Sequence, residues 1–323
     1  MGPDAEVAFE FVPVIRQYKS GRVERLLPVN AVPPSVDAAT GVASKDVTID
    51  AATGLWARLY LPDLSVRVAD DARRLPVALY FHGGGLVVGS AADAAEHAFL
   101  NRLAALAGAL AVSVEYRLAP EHPVPACYDD AWAALRWVMA SPAAAADPWV
   151  RDHADASRVS VVGYSAGGNL AHDVTLRAGM EPDLPARVQG MALLHPYFLS
   201  GTRAEGEVKI PWVREKLEEL WAFACGGRTT GPDDPRVNPL AAGAPSLRRL
   251  GCRRVLVCVA DDELEVRGKA YYHDGLLASG WAPGDAELLV SDGEEHEFHL
   301  RNPESPKALR LMERLVALVQ GNP

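Results

Sequence analysis

Val159-Ser160-Val161-Val162 runs without a break into Gly163-Tyr164-Ser165-Ala166-Gly167-Gly168, and Asn169 to Arg177 then has helical spacing. An apolar strand, a G-x-S-x-G turn and a helix in immediate succession predict a sharp strand-to-helix elbow. Such a turn forces its serine into a strained backbone conformation, and side chains two residues away on either side would collide. The hydroxyl then projects from the sheet, and the helix N-terminus offers backbone N–H groups to a developing negative charge. The plainer reading is a serine that only caps a helix. The strand directly before the motif favours a nucleophile, Ser165.

Around this elbow, apolar runs with strand character recur along the chain. Val47 to Ile49 and Leu55 to Leu61 flank Ala52-Thr53-Gly54 and read as a hairpin; Val77 to Phe81, Leu110 to Val114, Val159 to Val162, Met191 to Leu194, Val255 to Val259 and Leu288 to Val290 follow. Helical patterns separate the later strands, at Ala94 to Ala107, Tyr128 to Met139, Asn169 to Arg177, Gly268 to Ala278 and Ser305 to Leu318. Near-continuous apolar strands alternating with helices predict an α/β fold, with a mainly parallel sheet covered on both faces. Two segments fall outside the alternation, Val7 to Val32 and Ser200 to about Ala244. Both are expected as helices over the C-terminal edge of the sheet, where open α/β folds bind ligands.

The chain has 323 residues, 49% apolar and 23% charged, enough for one large domain with an appended cap. A net charge of −10 and the lack of a long basic block argue against nucleic acid or anionic membrane as partners. No 18-residue apolar run is present, and Met1 to Phe9 lacks the charge and hydropathy pattern of a secretory signal. Cys127, Cys225, Cys252 and Cys258 have no metal-binding or disulfide spacing, so reduced, buried thiols in the cytoplasm are expected and no metal is called for.

His82-Gly83-Gly84-Gly85 follows the strand Val77 to Phe81. Glycines here let the backbone approach a substrate oxygen, and with the Ala166 amide two of these glycine amides are expected to form an oxyanion hole. For the base, nine histidines compete. In this fold the acid and base follow the nucleophile in the chain, which makes His82 a loop organiser. His296, in the loop after Leu288 to Val290, is the expected base, and His299 is expected to be structural. The acid belongs after Val255 to Val259, where Asp261, Asp262 and Glu263 crowd one loop.

Taken together, these motifs resemble a plant carboxylesterase of the hormone-sensitive-lipase type, an α/β-hydrolase family that also includes the gibberellin receptor. The resemblance covers nearly the whole chain and includes Tyr116-Arg117-Leu118-Ala119-Pro120-Glu121-His122-Pro123, His195-Pro196-Tyr197-Phe198, Asp234-Pro235-Arg236-Val237-Asn238-Pro239 and His296-Glu297-Phe298-His299-Leu300. It implies an α/β-hydrolase core of about 41–199 and 245–323 under a helical cap of about 1–40 and 200–244. It implies hydrolytic roles for Ser165 and His296 and an oxyanion hole of Gly83, Gly84, Gly85 and Ala166. The chain departs from the family in Tyr164, where Asp is usual before the nucleophile, and in Leu86, where an aromatic residue is usual; both are candidate substrate-binding positions. The acid loop is one residue short: counting forward from the strand selects Glu263, and counting back from Arg267-Gly268 selects Asp262. Asp262 keeps the Asp-x-Leu spacing and is preferred.

The leading functional expectation is hydrolysis of a small carboxylic ester through an acyl-enzyme, with no cofactor. A lyase or cyclase using the same pocket without acylation is one alternative, and a non-catalytic hormone receptor is another. An intact Ser165 and His296 argue against the receptor. Substrate identity and oligomeric state stay open.

Overall fold

The computed structural model describes residues 6–66, 74–140, 147–203, 211–261 and 264–322. The chain opens with three short strands, β1 (Val7–Phe11), β2 (Ile15–Tyr18) and β3 (Val23–Arg25), which form a separate antiparallel sheet. The helix expected in this segment is therefore replaced by a β-meander. Pro13 interrupts any helix between β1 and β2, and Gly21, at φ 89°, supplies the left-handed turn before β3.

The main sheet has eight strands: β4 (Ala43–Asp50), β5 (Leu55–Leu61), β6 (Leu75–Phe81), β7 (Leu110–Glu115), β8 (Ala154–Tyr164), β9 (Val188–Leu194), β10 (Cys252–Ala260) and β11 (Ala286–Ser291). Their order across the sheet is β11-β10-β9-β8-β6-β7-β5-β4. From β11 to β7 every pairing is parallel; β5 and β4 are antiparallel additions at one edge, and the β4–β5 hairpin is the one expected at Ala52-Thr53-Gly54.

The helices are α1 (Ala94–Ala107), α2 (Ala126–Met139), α3 (Pro148–His153), α4 (Ala166–Ala178), α5 (Pro211–Ala224), α6 (Glu265–Ala270, continuing as a π-helix to Leu277), α7 (Phe298–Arg301) and α8 (Pro306–Gln320). Strand alternation divides the core into two layers. Val77 and Leu79 of β6 join Leu135 of α2 and Leu170 and Val174 of α4 on one face. Ala78 and Tyr80 join Phe99 and Leu103 of α1 and Leu311 and Leu315 of α8 on the other. This sandwich fixes the C-terminal ends of β6, β8, β9, β10 and β11 side by side. Cys127, Cys225, Cys252 and Cys258 are all free and buried. Among the described residues no helix is long and apolar enough to cross a membrane.

Candidate active site

Ser165 stands between β8 and α4 with φ 53° and ψ −116°, a region that a side chain enters only under constraint. The constraint is visible on every side. Its N–H donates to the Leu194 carbonyl at 2.8 Å, and its own carbonyl accepts from Gly168 and Tyr197, each at 2.9 Å. A Cβ on Gly163 would lie 1.9 Å from the Gly167 carbonyl oxygen, and one on Gly167 would lie 2.0 Å from the Phe81 carbonyl oxygen. The glycines of the elbow are thus required by contact between backbones. Ala166 begins α4, so its amide belongs to the helix N-terminus beside the serine.

The glycine loop after β6 is held just as firmly. The Tyr116 hydroxyl donates to the His82 carbonyl at 2.9 Å, and the His82 Nδ1 lies 2.7 Å from the Gly83 carbonyl oxygen. The Gly84 carbonyl accepts from the amides of Val87 and Val88, both at 3.0 Å. In a trans peptide the C=O and the following N–H point in opposite directions. Fixing the carbonyls of Gly83 and Gly84 therefore turns the amides of Gly84 and Gly85 the other way. Burial lowers the pKa of the His82 ring. His82 is a loop organiser, as its place in the chain suggested.

Gly83, Gly84, Gly85, Ser165 and His296 all line one cavity of about 520 Å³. Its floor comes from segments that follow the strand ends, and its roof comes from Phe11, Val14 and Val29 on the N-terminal side with Val213, Leu217 and Leu220 of α5. The meander is tied down at several points. Arg25 donates to the Val87 carbonyl at 2.8 Å and pairs with Glu121 at 2.7 Å, while Phe9 stacks on Phe223 of α5 with ring centroids 3.9 Å apart. A Cβ on Gly85 would come within 2.7 Å of the Leu220 side chain, so the roof rests on the glycine loop itself.

Of the two histidines after β11, only His296 lines the cavity. His299 is buried behind it, and among the described residues neither of its ring nitrogens has a hydrogen-bond partner. Burial, with the His296 ring beside it, lowers the His299 pKa to about 3. The expected acids, Asp262 and its alternative Glu263, lie outside the described residues. Asp261, just before them at the end of β10, donates its N–H to the Glu294 carbonyl at 3.0 Å and ties that loop to the one carrying His296.

Tyr164 also lines the cavity, and its ring packs beneath the glycine loop. A Cβ on Gly83 would sit 2.4 Å from its Cε1, and the ring lies 5.3 Å from His296 and 5.0 Å from His299. Burial and the charge of the nearby Glu297 carboxylate raise its pKa well above the usual value. Leu86, expected to meet substrate, is instead in the core; it is buried, has φ 66° and does not line the cavity. The loop turns in the left-handed region at Leu86 and carries its side chain inward, which leaves Val88 on the cavity wall. The sequence reading also passed over Glu96 on α1, a buried carboxyl on the wall of the cavity. A glutamate one turn into an amphipathic helix carries no motif, so only the fold reveals its position.

Residues 78–300 match the family model described as the alpha/beta hydrolase fold, and the chain belongs to that family. Within it the chain is of the carboxylesterase type. It is 42% identical over 320 residues to tuliposide A-converting enzyme 1, chloroplastic, of Tulipa gesneriana, covering 98% of this chain and 79% of the relative. It is 38% identical to probable carboxylesterase 13 of Arabidopsis thaliana, covering 99% of each. Among solved structures it resembles the Pyrobaculum calidifontis esterase, with a TM-score of 0.65 and 30% identity over 86% of this chain and 84% of that one.

Proposed function

We propose that this enzyme hydrolyses small carboxylic esters at Ser165, with His296 as base and Asp262, or Glu263 beside it, as the acid that orients the imidazole. The observation that carries the reading is the convergence of Ser165, His296 and the glycine loop on one largely apolar cavity. His296 takes the Ser165 proton as Oγ attacks the ester carbonyl carbon. The carbonyl oxygen becomes an oxyanion, held by the amides of Ala166, Gly84 and Gly85. Collapse expels the alcohol, which leaves with the proton from the imidazolium, and an acyl-enzyme remains. Water, deprotonated by His296, then attacks the acyl carbon and releases the acid and free Ser165. No cofactor enters these steps.

In this reading the meander and the α5 region, about 1–40 and 200–244, form a cap over a catalytic core of about 41–199 and 245–323. The partner is a small-molecule ester rather than nucleic acid or membrane. The free, buried thiols suit a reducing compartment. That is the cytoplasm in our reading; the tulip relative is named chloroplastic, and organelle fractionation distinguishes the two.

Turnover of short-chain p-nitrophenyl esters, measured with labelling by a fluorophosphonate probe, tests the assignment. Ser165→Ala is expected to abolish labelling and lower kcat by about 10⁴ to 10⁶. His296→Ala is expected to do comparable damage to turnover, and His299→Ala to act mainly on stability. Labelling that survives Ser165→Ala refutes the nucleophile, and the reverse histidine pattern moves the base to His299.

A further inference from the structure

Strand β9 lies between the strand that runs into Ser165 and the strand that leads to the acid loop. Leu194, its last residue, pairs with Tyr164 of β8 on one side and with Cys258 of β10 on the other. The peptide joining Leu194 to His195 extends both links beyond the paired strands: its carbonyl accepts from the Ser165 N–H at 2.8 Å, and its N–H donates to the Cys258 carbonyl at 2.8 Å. Two residues on, the Tyr197 N–H donates to the Ser165 carbonyl at 2.9 Å, so this segment clasps the elbow at both of its backbone groups. At His195 the backbone enters the left-handed region, at φ 49°. Among the described residues only Leu86 and Ser165 also do so without being glycine. The conformation is uncommon for any residue with a side chain, though histidine adopts it more readily than most.

We infer that His195 is a positioning residue for ester hydrolysis: its ring is the rear wall that holds the His296 imidazole towards Ser165. The inference rests on the Ser165–His296 hydrolase reading and adds a part to it. The His195 ring is buried and meets His296 edge to face, with centroids 5.8 Å apart and planes at 62°. His296 lines the cavity and His195 does not, so the contact falls on the side of the imidazole turned from the substrate. His195 is backed in turn by Phe298 at 5.6 Å and His299 at 5.5 Å, and the Tyr164 ring, 5.3 Å from His296, completes the enclosure. His296 stands in a turn, outside any strand or helix, so the rings packed on it fix its rotamer. One residue thereby relates two parts of the site. The peptide of His195 holds the Ser165 N–H, and its ring holds the base, so the separation of nucleophile and base is set at a single point. A displacement of about 1 Å at such a pair costs roughly 10²-fold in rate.

Two substitutions separate the ring from the backbone turn beneath it. Asparagine also enters the left-handed region readily but lacks the ring, whereas phenylalanine keeps a flat ring without that preference. For His195→Asn we expect kcat on p-nitrophenyl acetate to fall roughly 10- to 100-fold with KM changed less than about twofold, because the base is displaced and not removed. Fluorophosphonate labelling of Ser165 is expected to slow in parallel. For His195→Phe we expect kcat within about fivefold of the parent, even if the melting temperature falls. A residue that serves only the turn gives the reverse pattern. An Asn variant with the parent kcat, an Asn variant altered only in KM, or a Phe variant as slow as Asn overturns the inference. If His195→Asn does not fold, Phe298→Leu removes the ring that backs His195 and is expected to lower kcat several-fold at unchanged KM; unchanged kcat there is equally fatal. Turnover that survives Ser165→Ala or His296→Ala would remove the hydrolase reading, and with it this role for His195. Normal dependence on Ser165 and His296 with a silent His195→Asn removes the positioning role alone.

Discussion

Tyr164 occupies the position next to Ser165, the proposed nucleophile, and its surroundings define what it can contribute. The ring fills the space under Gly83, and near the phenol lies the Glu297 carboxylate, which is itself paired with Arg301 at 2.7 Å. A residue so placed acts chiefly as packing. Tyr164→Phe should therefore change stability by no more than about 1 kcal/mol and leave ester turnover within a few-fold of the parent. Tyr164→Asp should remove the ring and bury a third carboxylate beside Glu96 and Glu297, destabilising the protein by several kcal/mol. Thermal melts and kcat for both variants check this; a 100-fold loss of kcat in Tyr164→Phe would show that the phenol takes part in the chemistry. The sequence made the elbow legible because local backbone contacts dictate its glycines. It did not reveal how Tyr164 sits: the ring lies beneath Gly83 and still borders the cavity, a placement set by the glycine loop and not by the turn. Leu86 escaped for a related reason: its direction follows from the left-handed backbone at that residue, which residue type alone does not announce.

Among the elements, the strands and helices of the main sheet follow from apolar runs long enough to identify themselves, as α1 does within Ala94–Ala107. The N-terminal meander has strands of five, four and three residues, too short for alternation to speak clearly. What makes them strands is tertiary: Phe9 on Phe223, and Arg25 on Val87 and Glu121. Helix α5 was foreseeable as a helix, but its register over the site was not. It presents Val213, Leu217 and Leu220 to the cavity, and the Tyr197 hydroxyl holds it by the Leu217 carbonyl. Because that bond uses backbone, Leu217→Ala should leave α5 in place and deepen the pocket. Removing three carbons from an apolar wall opens room worth about 2 kcal/mol to a longer acyl chain. The ratio of kcat/KM for hexanoate over acetate esters should rise roughly 30-fold. An unchanged ratio would mean that the acyl chain runs elsewhere.

For the molecule as a whole, buried titratable groups set how stability responds to pH. Burial raises Glu96 to about 7 and Asp173 to about 6, and it lowers His172 and His299 to about 3. The raised carboxyls contribute fully at low pH, and their contribution declines from about pH 4 to 7, as the unfolded chain releases protons that the fold retains. The lowered histidines act in the opposite sense. Their contribution is present above about pH 6.5 and is lost towards pH 3, as the unfolded chain takes up protons that the fold refuses. The two trends oppose each other between about pH 5 and 6.5, where the urea midpoint should be nearly flat. Below about pH 4 these two carboxyls are protonated in both states, while the histidines and the Asp234 carboxyl, lowered to about 2, both favour unfolding, so the midpoint should fall steeply. His299→Met should flatten that acid limb by about 1.4 kcal/mol per pH unit, the share of one proton. An acid limb of unchanged slope would show that His299 is protonated inside the fold.

Leu220 resting on Gly85 gives the molecule a safety catch. The same helix closes the pocket and rests on the loop beneath it, so on the proposed function the enzyme should be armed only while shut. On the proposed oxyanion geometry, heat, detergent or a binding partner that pries α5 upward should flood the pocket and slacken the loop in one movement, so activity is expected to disappear before the sheet comes apart.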